Sequence, residues 1–438
     1  MTPPFPSGAE LSRRRILGLS GGLAAAAALA ACGNNTGRPA TGPAPTSPDA
    51  RGVGVTLEQW YHQYGETGTR EAVERYAAAY PHATVNVTWK PGDYDQTVLA
   101  TLVTDAAPDV FEYANGPTID MITGGQVADL TDLFGDALPD FNPALIERMT
   151  HEGKIWAIPQ VIDMQLLIYR TSMLNEAGVA PPSTMDELVA AAGALTKGKV
   201  KGLFLGNDGG AGLMGPPMLR SVGLDLLTEE GEFGFDDPRS ATAFGTLRSL
   251  FTSDHLLLGA PNDWFAPDAL TQGLTAMQFT GLWALPAIAS ALGDDFGVLP
   301  WPAAMDGGLP NVTVGAYGTC ISANSQHLDV AKDFAKWLWI DGTDKQSDFA
   351  TTYGLHIPAR QSLAGQAEAL KHGPAAEAVT LAQRHGFAQN HLMWTPKCAA
   401  SFNDMMSRIV KNGADPAAEV PALKRIVDAE LNRVRTGR

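Results

Sequence analysis

The chain has 438 residues, of which 45% are apolar and 18% are charged, so it can bury two ordinary hydrophobic cores in two or three domains. Its formal net charge of −16 argues against nucleic acid and other polyanions as partners, because phosphate contacts need clustered lysine and arginine side chains.

The N-terminal segment has the pattern of an export signal. Three arginines at positions 13–15 precede a sixteen-residue apolar run, which is too short to span a bilayer comfortably. The arginines followed by Ile-Leu are similar to a twin-arginine signal. Residues 29–32, with the sequence LAAC, are similar to a bacterial lipobox, whose cysteine carries the lipid. We therefore predict a signal peptide over residues 1–31 and lipidation at Cys32, rather than a transmembrane anchor.

Residues 32–52 are rich in Gly, Pro, Thr and Ser and contain almost no apolar side chains. Such a segment cannot offset the entropy cost of ordering, so it is predicted to be a flexible tether. Lipid and tether together predict a folded body held at the extracellular face of the bacterial cytoplasmic membrane. In that compartment Cys320 and Cys398 can form a disulfide, and two buried thiols are an equal alternative.

The first part of the body alternates between strand and helix patterns. Predicted strands cover residues 53–60, 84–89 and 109–113, and predicted helices cover residues 69–80, 96–105 and 119–125. Strands separated by helices of about ten residues predict a parallel sheet that is covered on both faces.

The alternation restarts further along the chain. Predicted strands cover residues 166–169, 202–206, 275–279, 296–300 and 312–322, and predicted helices cover residues 184–198, 325–342 and 399–435. The first of these helices carries a capping box of Thr184 and Glu187, and Asp415-Pro416 predicts a break in the last. We predict two α/β lobes with mostly helical additions at the C-terminus.

The sequence motifs of common enzymes are missing or incomplete. The histidines are scattered without metal-ligand spacing, so no metal or other cofactor is predicted. Residues 210–215 match GxGxxG, but Pro216 and Pro217 follow where a dinucleotide site requires a helix, which predicts a glycine-rich loop instead. A pair of carboxylates suffices for glycoside hydrolysis, so an exported glycan-active hydrolase stays the alternative to a binding protein.

Aromatic residues next to Asn, Asp and Glu follow several predicted strands, in the segments WYHQYGET, EYANG, GNDGG and TGLW. Ligands of open α/β sheets bind outside the carboxyl ends of the strands. A neutral, hydroxyl-rich ligand needs amides and carboxylates for its hydroxyl groups and flat rings for its C–H faces. Trp89, Trp337 and Trp339 are expected in the core. Trp283 differs because it lies beyond its strand, between a glycine and a proline.

Five segments, in order, resemble the extracellular solute-binding proteins of ABC importers, in the sugar-binding group that includes maltose-binding protein. They are PDVFEYANG, ADLTDLF, GKIWAIPQVIDMQLLIYR, QGLTAMQFTGLWA and GLHIPARQS. The resemblance runs from about Val53 to the C-terminus. It implies a two-lobe, type II periplasmic-binding-protein-like α/β fold, in which two Rossmann-like lobes are joined by a hinge and close on the solute.

The resemblance also implies where the chain crosses between the lobes, namely in PQVIDMQ, near VGAYGT and near HIPARQS. Lobe 1 is then formed by residues 53–162 and 320–362, and lobe 2 by residues 163–319 and 363–438. The protein is expected to be a monomer without catalytic activity that passes its carbohydrate to ABC permease subunits.

Ligand-binding roles are implied for residues that match the family's cleft. These are His62, Tyr64, Glu66, Tyr113, Asn115, Asp163, Asn207, Asp208, Trp283, Tyr317 and Arg360. Trp283 matches the tryptophan on which the family stacks sugar, and Asp163 matches an acidic residue that accepts hydrogen bonds from sugar hydroxyls. Asn207 and Asp208 are included only for their position after a strand.

Two departures from the family's pattern bear on the ligand. The first cleft loop has no lysine and offers Glu66, and the third strand end carries glycines where maltodextrin-binding relatives have an aromatic ring. Maltose is therefore not expected, whereas a sugar is. A glycerol phosphate ester, which some relatives bind, would need several cations, and Arg360 is the obvious one. An acidic cleft also suits an amino sugar or another cationic solute.

Overall fold

The computed structural model describes residues 54–388 and 391–437. The predicted signal peptide, the predicted tether and the lipidation site Cys32 lie outside the described residues. Within the described ranges, no helix is long and apolar enough to cross a membrane.

Twelve β-strands form in the described part of the chain. In chain order they are β1 (Thr56–His62), β2 (Thr84–Lys90), β3 (Val110–Ala114), β4 (Thr150–His151), β5 (Lys154–Ile155), β6 (Ile158–Tyr169), β7 (Lys201–Phe204), β8 (Thr275–Gly281), β9 (Gly297–Leu299), β10 (Val312–Ile321), β11 (Ile357–Pro358) and β12 (Gly386–Ala388).

α-Helices connect most of the strands. They are α1 (Thr69–Ala78), α2 (Tyr94–Thr101), α3 (Ile119–Thr123), α4 (Thr131–Phe134), α5 (Pro143–Arg148), α6 (Thr171–Ala177), α7 (Met185–Leu195), α8 (Gly215–Ser221), α9 (Pro238–Thr252), α10 (Asp268–Thr271), α11 (Leu285–Leu292), α12 (Leu328–Lys336), α13 (Thr343–Asp348), α14 (Gln361–Gln366), α15 (Gly373–His385), α16 (Pro396–Asn412) and α17 (Pro416–Thr436). Short 3-10 helices cover Gly135–Asp140, Leu282–Ala284 and Glu368–Leu370, and π-helical turns cover Trp337–Asp341 and Phe349–Tyr353.

Local capping signals placed two helix starts correctly. The Thr184 side chain accepts a hydrogen bond from the Glu187 amide, and the Glu187 carboxylate accepts one from the Thr184 amide, so the predicted capping box starts α7. α17 starts at the predicted break, where the Asp415 carboxylate accepts from the Ala417 amide. These contacts join residues two or three positions apart, so they can be read from sequence.

The glycine-rich segment after β7 differs from its prediction. α8 begins at Gly215 with two prolines in its first turn, where proline is tolerated because the first amides have no partner inside the helix. The prediction that Pro216 and Pro217 prevent a helix at this position is therefore wrong. The Asp208 carboxylate nevertheless accepts hydrogen bonds from the amides of Gly210 and Gly212, so these two amides already bond within the loop.

Ten strands form one sheet, whose main path has the order β2-β1-β3-β10-β6-β8-β7, while β9 and β11 pair with β6 and β12 pairs with β10. β1 is parallel to β2 and β3, and β7 is parallel to β8. β10 is antiparallel to β3 and β6, and β6 is antiparallel to β8. The predicted parallel sheet is thus correct only for the outer strands, because apolar periodicity does not reveal the direction of the two central strands.

Strand β6 links the two halves of the sheet. Its residues between 158 and 165 pair with β10, and its residues 165–169 pair with β8. With twelve residues it is about 40 Å long. β11 pairs with residues 161–162 of the same strand. The three segments that were predicted to cross between lobes therefore lie side by side.

The hydrophobic core is divided in the same way. The first cluster draws its buried residues from 57–162 and 316–359, and the second from 167–301 and 394–431. A third, smaller cluster contains Leu285 of α11 together with residues of β6 and α15. This division supports the lobe boundaries given by the resemblance, which remain a prediction.

The two cysteines of the folded body lie in different clusters. Cys320 is buried in the first cluster, Cys398 is buried in the second, and both are free thiols. The disulfide alternative is therefore not realised, and two buried thiols are present.

Candidate functional site

A buried carboxylate on β3 organises the loop that follows β1. Glu112 is 1% exposed and accepts three hydrogen bonds, from the His62 amide at 2.7 Å, from His62 Nδ1 at 2.5 Å and from the Tyr64 hydroxyl at 2.8 Å. A buried ion of this kind is tolerated only when its oxygens are bonded. Glu112 therefore fixes the two aromatic residues predicted for the first loop. The prediction did not single out Glu112, although a lone acid in the strand VFEYA is a visible signal.

The His62 ring connects this loop to the crossing strand β10. It stacks on the Tyr317 ring with centroids 4.4 Å apart and planes 15° apart. Burial opposes a positive charge on His62, but the charge and hydrogen bond of Glu112 outweigh it and raise the pKa of His62. Burial, to which the charge of Glu112 adds, raises the pKa of the nearby Asp95 to about 7. The predicted site residues His62 and Tyr317 are thus in contact. The carboxyl group beside them, that of Asp95, has a pKa near neutral pH.

A second network lies at the crossing strands. His356 precedes β11 and is 4% exposed. Its Nδ1 bonds Asp163 Oδ1 on β6, and its Nε2 lies 3.5 Å from Glu66 Oε1 in the first loop. Burial opposes the charged imidazole, but the two carboxylates outweigh that effect and raise the pKa of His356 to about 10. Asp163 and Glu66, both predicted as ligand contacts, are therefore joined by a histidine that the sequence analysis did not select.

Trp283 lies in a 3-10 turn just after β8 and is half-buried. Its Nε1 donates to the Phe265 carbonyl at 2.9 Å, and its ring meets Trp264 edge-on with centroids 5.9 Å apart. A Cβ on Gly281 would lie 2.0 Å from the Trp283 ring, so glycine is needed where the indole crosses the strand end. The Phe265 side chain is 51% exposed. The sequence analysis found Trp283 but missed Trp264 and Phe265.

The sheet register brings these groups toward one place. Gly281 pairs with Gln165 of β6, and Asp163 pairs with Gly315 of β10. Trp283 follows Gly281 by two residues and Asp163 precedes Gln165 by two, which places both beyond the same end of the β6–β8 pairing. Indole ring, carboxylate and the Tyr317–His62 stack therefore gather around the middle of β6.

Tyr113 and Asn115, the predicted contacts on β3, are each 5% exposed. The Tyr113 ring belongs to the first core cluster. Asn115 has a positive φ of 61°, and it forms two hydrogen bonds with Ala316, through its backbone amide and its side-chain oxygen. In this conformation Asn115 joins β3 to the crossing strand β10.

Three other predicted residues are engaged in structural contacts. The Asn207 side chain accepts from the Gly259 and Ala260 amides, and Asp208 bonds amides of its own loop. Arg360 donates to Asp140 at 2.8 Å and to the Ile340 carbonyl at 2.7 Å. These contacts organise loops, and none of them involves the residues gathered around β6.

A cavity of about 380 Å³ is lined by segments that neighbour this arrangement in sequence, but none of the residues gathered around β6 lines it. Its lining includes Leu285 and Pro286, which closely follow Trp283, and residues 353–355, which directly precede His356. In the described part of the chain, no group of three or more His, Cys, Asp or Glu residues is arranged to hold a metal ion.

Comparison with known families gives one match that covers more than half of the chain. The model of the family described as bacterial extracellular solute-binding protein matches residues 60–339.

Two curated relatives have similar sequences. The lactose-binding protein of Rhizobium radiobacter is 25% identical over 247 residues, covering 54% of this chain and 58% of the relative. The diacetylchitobiose-binding protein DasA of Streptomyces coelicolor is 26% identical over 309 residues, covering 66% of this chain and 69% of the relative. The chain therefore spans between about half and two thirds of the length of these relatives.

Among solved structures, an ABC transporter solute-binding protein of Thermotoga lettingae, bound with α-D-tagatose, superimposes with a TM-score of 0.74 at 19% identity. The match covers 86% of this chain and 99% of that structure. The likeness confirms the predicted two-lobe α/β fold.

Proposed function

This chain belongs to the family of bacterial extracellular solute-binding proteins, and we propose that it captures a carbohydrate between its two lobes and delivers it to an ABC importer. The named relatives bind lactose and diacetylchitobiose, and the solved structure holds tagatose. A small oligosaccharide or its monosaccharide unit is the ligand class that these proteins share.

The observation that carries the proposal is an indole ring and two carboxylates that the strand register places around the middle of β6. Trp283 is half-buried beside Trp264, and Asp163 and Glu66 are held by His356 near the same point of β6. Sugar rings offer apolar C–H faces for stacking and hydroxyl groups for donation, so they need both kinds of surface. The proposed ligand contacts are Trp283, Asp163, Glu66, His62 and Tyr317.

A neutral sugar suits this site better than a phosphate ester. The ester alternative relied on Arg360, and that guanidinium is 13% exposed and paired with Asp140. An anionic ligand would also meet the carboxylates of Glu66 and Asp163.

We further propose that the protein acts as a monomeric receptor without turnover, anchored to the outer face of the membrane by a lipid on Cys32. The twin-arginine-like signal and the lipobox support this anchoring. The permease subunits of the importer are the proposed partner. The lobe boundaries proposed for the hinge are those that the resemblance implies.

A thermal-shift series tests the function. The folded body is titrated with lactose, diacetylchitobiose and tagatose, and glycerol 3-phosphate is the charged control. A bound ligand stabilises the folded state by about 2.7 kcal/mol at a concentration of 100 Kd, which raises the melting temperature measurably. We expect a saturable rise with at least one sugar and none with the ester. No rise with any sugar, or release of shortened products from a labelled oligosaccharide, would contradict the proposal.

A further inference from the structure

His356 is held from several sides. Its ring lies parallel to the Phe349 ring, with planes 13° apart and centroids 6.4 Å apart, and its backbone amide donates to the Ala350 carbonyl at 2.8 Å. A Cβ on Gly354 would lie 2.6 Å from His356 Nε2, so the glycine backbone closes one side of the imidazole. The ring has little freedom to change its rotamer.

Both ring nitrogens of His356 face carboxylates from different parts of the chain. Nδ1 bonds Asp163 on the crossing strand β6, and Nε2 faces Glu66 in the loop after β1. An imidazole donates from both nitrogens only when it is protonated. The side chains of Asp163 and Glu66 are 17% and 11% exposed. Asp163 bonds the ring through one oxygen, and Glu66 Oε1 lies 3.5 Å from the ring, so the second oxygen of each carboxylate can accept a hydrogen bond from a ligand hydroxyl group.

We propose that His356 is a positioning residue for the ligand: its imidazolium joins Asp163 to Glu66, so that the crossing strand and the first loop present two acceptors as one preformed unit. This inference rests on the proposed function. Without the histidine, two carboxylates near each other would repel and adopt several rotamers, and the ligand would have to order them. With the histidine, that ordering is already complete before the sugar binds.

Replacing His356 with glutamine tests the role. The His356→Gln side chain has a similar reach but carries no charge and cannot donate to both carboxylates from one rigid ring. We expect the Kd for the sugar that stabilises the wild type to rise about tenfold or more, which is the loss expected for one charge-assisted contact. The matched control is His372→Gln, because His372 is 83% exposed and lies 3.9 Å from the surface carboxylate of Glu368.

The pH profile of binding separates positioning from a merely structural role. The titratable groups facing His356 are Asp163 and Glu66, with Tyr317 and His62 beyond them. The pKa of His356 is raised to about 10, so the wild-type Kd should be nearly constant from pH 6 to pH 8 and should rise toward pH 10 as the imidazolium loses its proton. His356→Gln lacks this titrating group, so the rise of Kd toward pH 10 should be lost.

The outcomes are distinct. If wild type and His356→Gln bind the sugar with equal Kd and equal pH profiles, the positioning role is overturned and the proposed function stands. If the wild type binds no sugar in the panel, the proposed function fails and the positioning role fails with it. If His356→Gln does not fold, His356→Asn decides, because its amide can still donate to Asp163 from the position of Nδ1 but cannot reach Glu66 from the position of Nε2. An unchanged Kd in His356→Asn overturns the proposal, and a weaker one supports it.

Discussion

At the scale of single residues, the site depends on a few buried polar groups whose partners come from distant parts of the chain. Glu112 takes donors from residues about 50 positions away, and His356 bonds Asp163 across 193 positions. Glu112 holds the His62 ring in a fixed orientation, and Asp163 does the same for the His356 ring. The proposed ligand contacts are therefore oriented by buried partners from distant parts of the chain.

Trp283 gives the first prediction at this scale. We expect Trp283→Ala to raise the sugar Kd at least about tenfold, because a stacked ring contributes more than its buried area alone. The melting temperature should fall by no more than about 4 °C, since the ring is only half-buried. Calorimetric titration and thermal unfolding measure the two effects. Trp337→Ala is the control, because Trp337 is also half-buried but packs on Phe334 and Tyr80. Equal loss of affinity in both variants would show that Trp283 has no special role.

His356 gives a prediction about pH and folding. Burial opposes its charge, yet Asp163 and Glu66 raise its pKa from 6.5 to about 10 in the folded protein. A raised folded-state pKa stabilises the fold fully below pH 6.5, and this contribution declines as pH rises toward 10. The difference in unfolding free energy between wild type and His356→Gln should therefore be larger at pH 6 than at pH 9.5. Urea unfolding at both pH values checks this, and a difference that is the same at both would contradict it.

At the scale of elements, the site is built where strands end. β1 ends at His62, and β8 ends at Gly281, two residues before Trp283, whereas Glu112 lies at the centre of the short strand β3. β6 pairs with β10 in its first half and with β8 in its second half. A long shared strand can therefore hold groups from both halves in a fixed register.

The role of the junction between β8 and α11 in ligand binding can be tested by adding one methyl group at Gly281. A Cβ on Gly281 would lie 2.0 Å from the Trp283 ring, so Gly281→Ala should displace the indole and weaken sugar binding by about tenfold. Gly245→Ala is the control, because no atom lies within 4 Å of the added Cβ and the residue is inside α9. That change should leave binding intact and stabilise the helix by up to about 1 kcal/mol. Wild-type affinity in Gly281→Ala would show that the indole does not need its present position.

At the scale of the whole molecule, one ion pair joins the two main core clusters away from the crossing strands. Arg433 on α17 donates to Asp120 on α3 at 2.6 Å. α17 packs into the second cluster through Val427 and Leu431, and α3 packs into the first through Met121 and Ile122. The pair can form only while the parts carrying these two helices stay close, as in a closed binding protein.

Arg433→Ala should therefore favour the open form. We expect a larger radius of gyration in small-angle scattering without ligand and a Kd up to about fivefold higher, because an exposed ion pair contributes about 1 kcal/mol. Arg433 also donates to the buried Glu430 of its own helix at 2.7 Å, and Asp120→Asn leaves that contact intact. Arg435→Ala is the control, because Arg435 pairs with Glu232 at 2.7 Å beside the second cluster. Asp120→Asn should reproduce the effect of Arg433→Ala. If all three variants match the wild type, the pair does not influence closure.

Much of the architecture could be predicted because its signals are local. The strand patterns, the capping box before α7 and the break before α17 depend on neighbouring residues. Trp283 could be found because an indole between glycine and proline is unusual after a strand. Glu112 and His356 were missed because a single acid or histidine has no periodicity, and its role depends on which distant group approaches it.

The sequence by itself determined the alternation of strands and helices, because this follows from apolar periodicity and short-range hydrogen bonds. It also determined the family and the segments that link the halves of the sheet, through the resemblance of five ordered segments to known members. Tertiary structure alone decided that the central strands are antiparallel, that Arg360 pairs with Asp140, and that His356 joins Asp163 to Glu66. Those outcomes depend on contacts between residues far apart in the chain, whose energies exist only once the fold has brought the groups together.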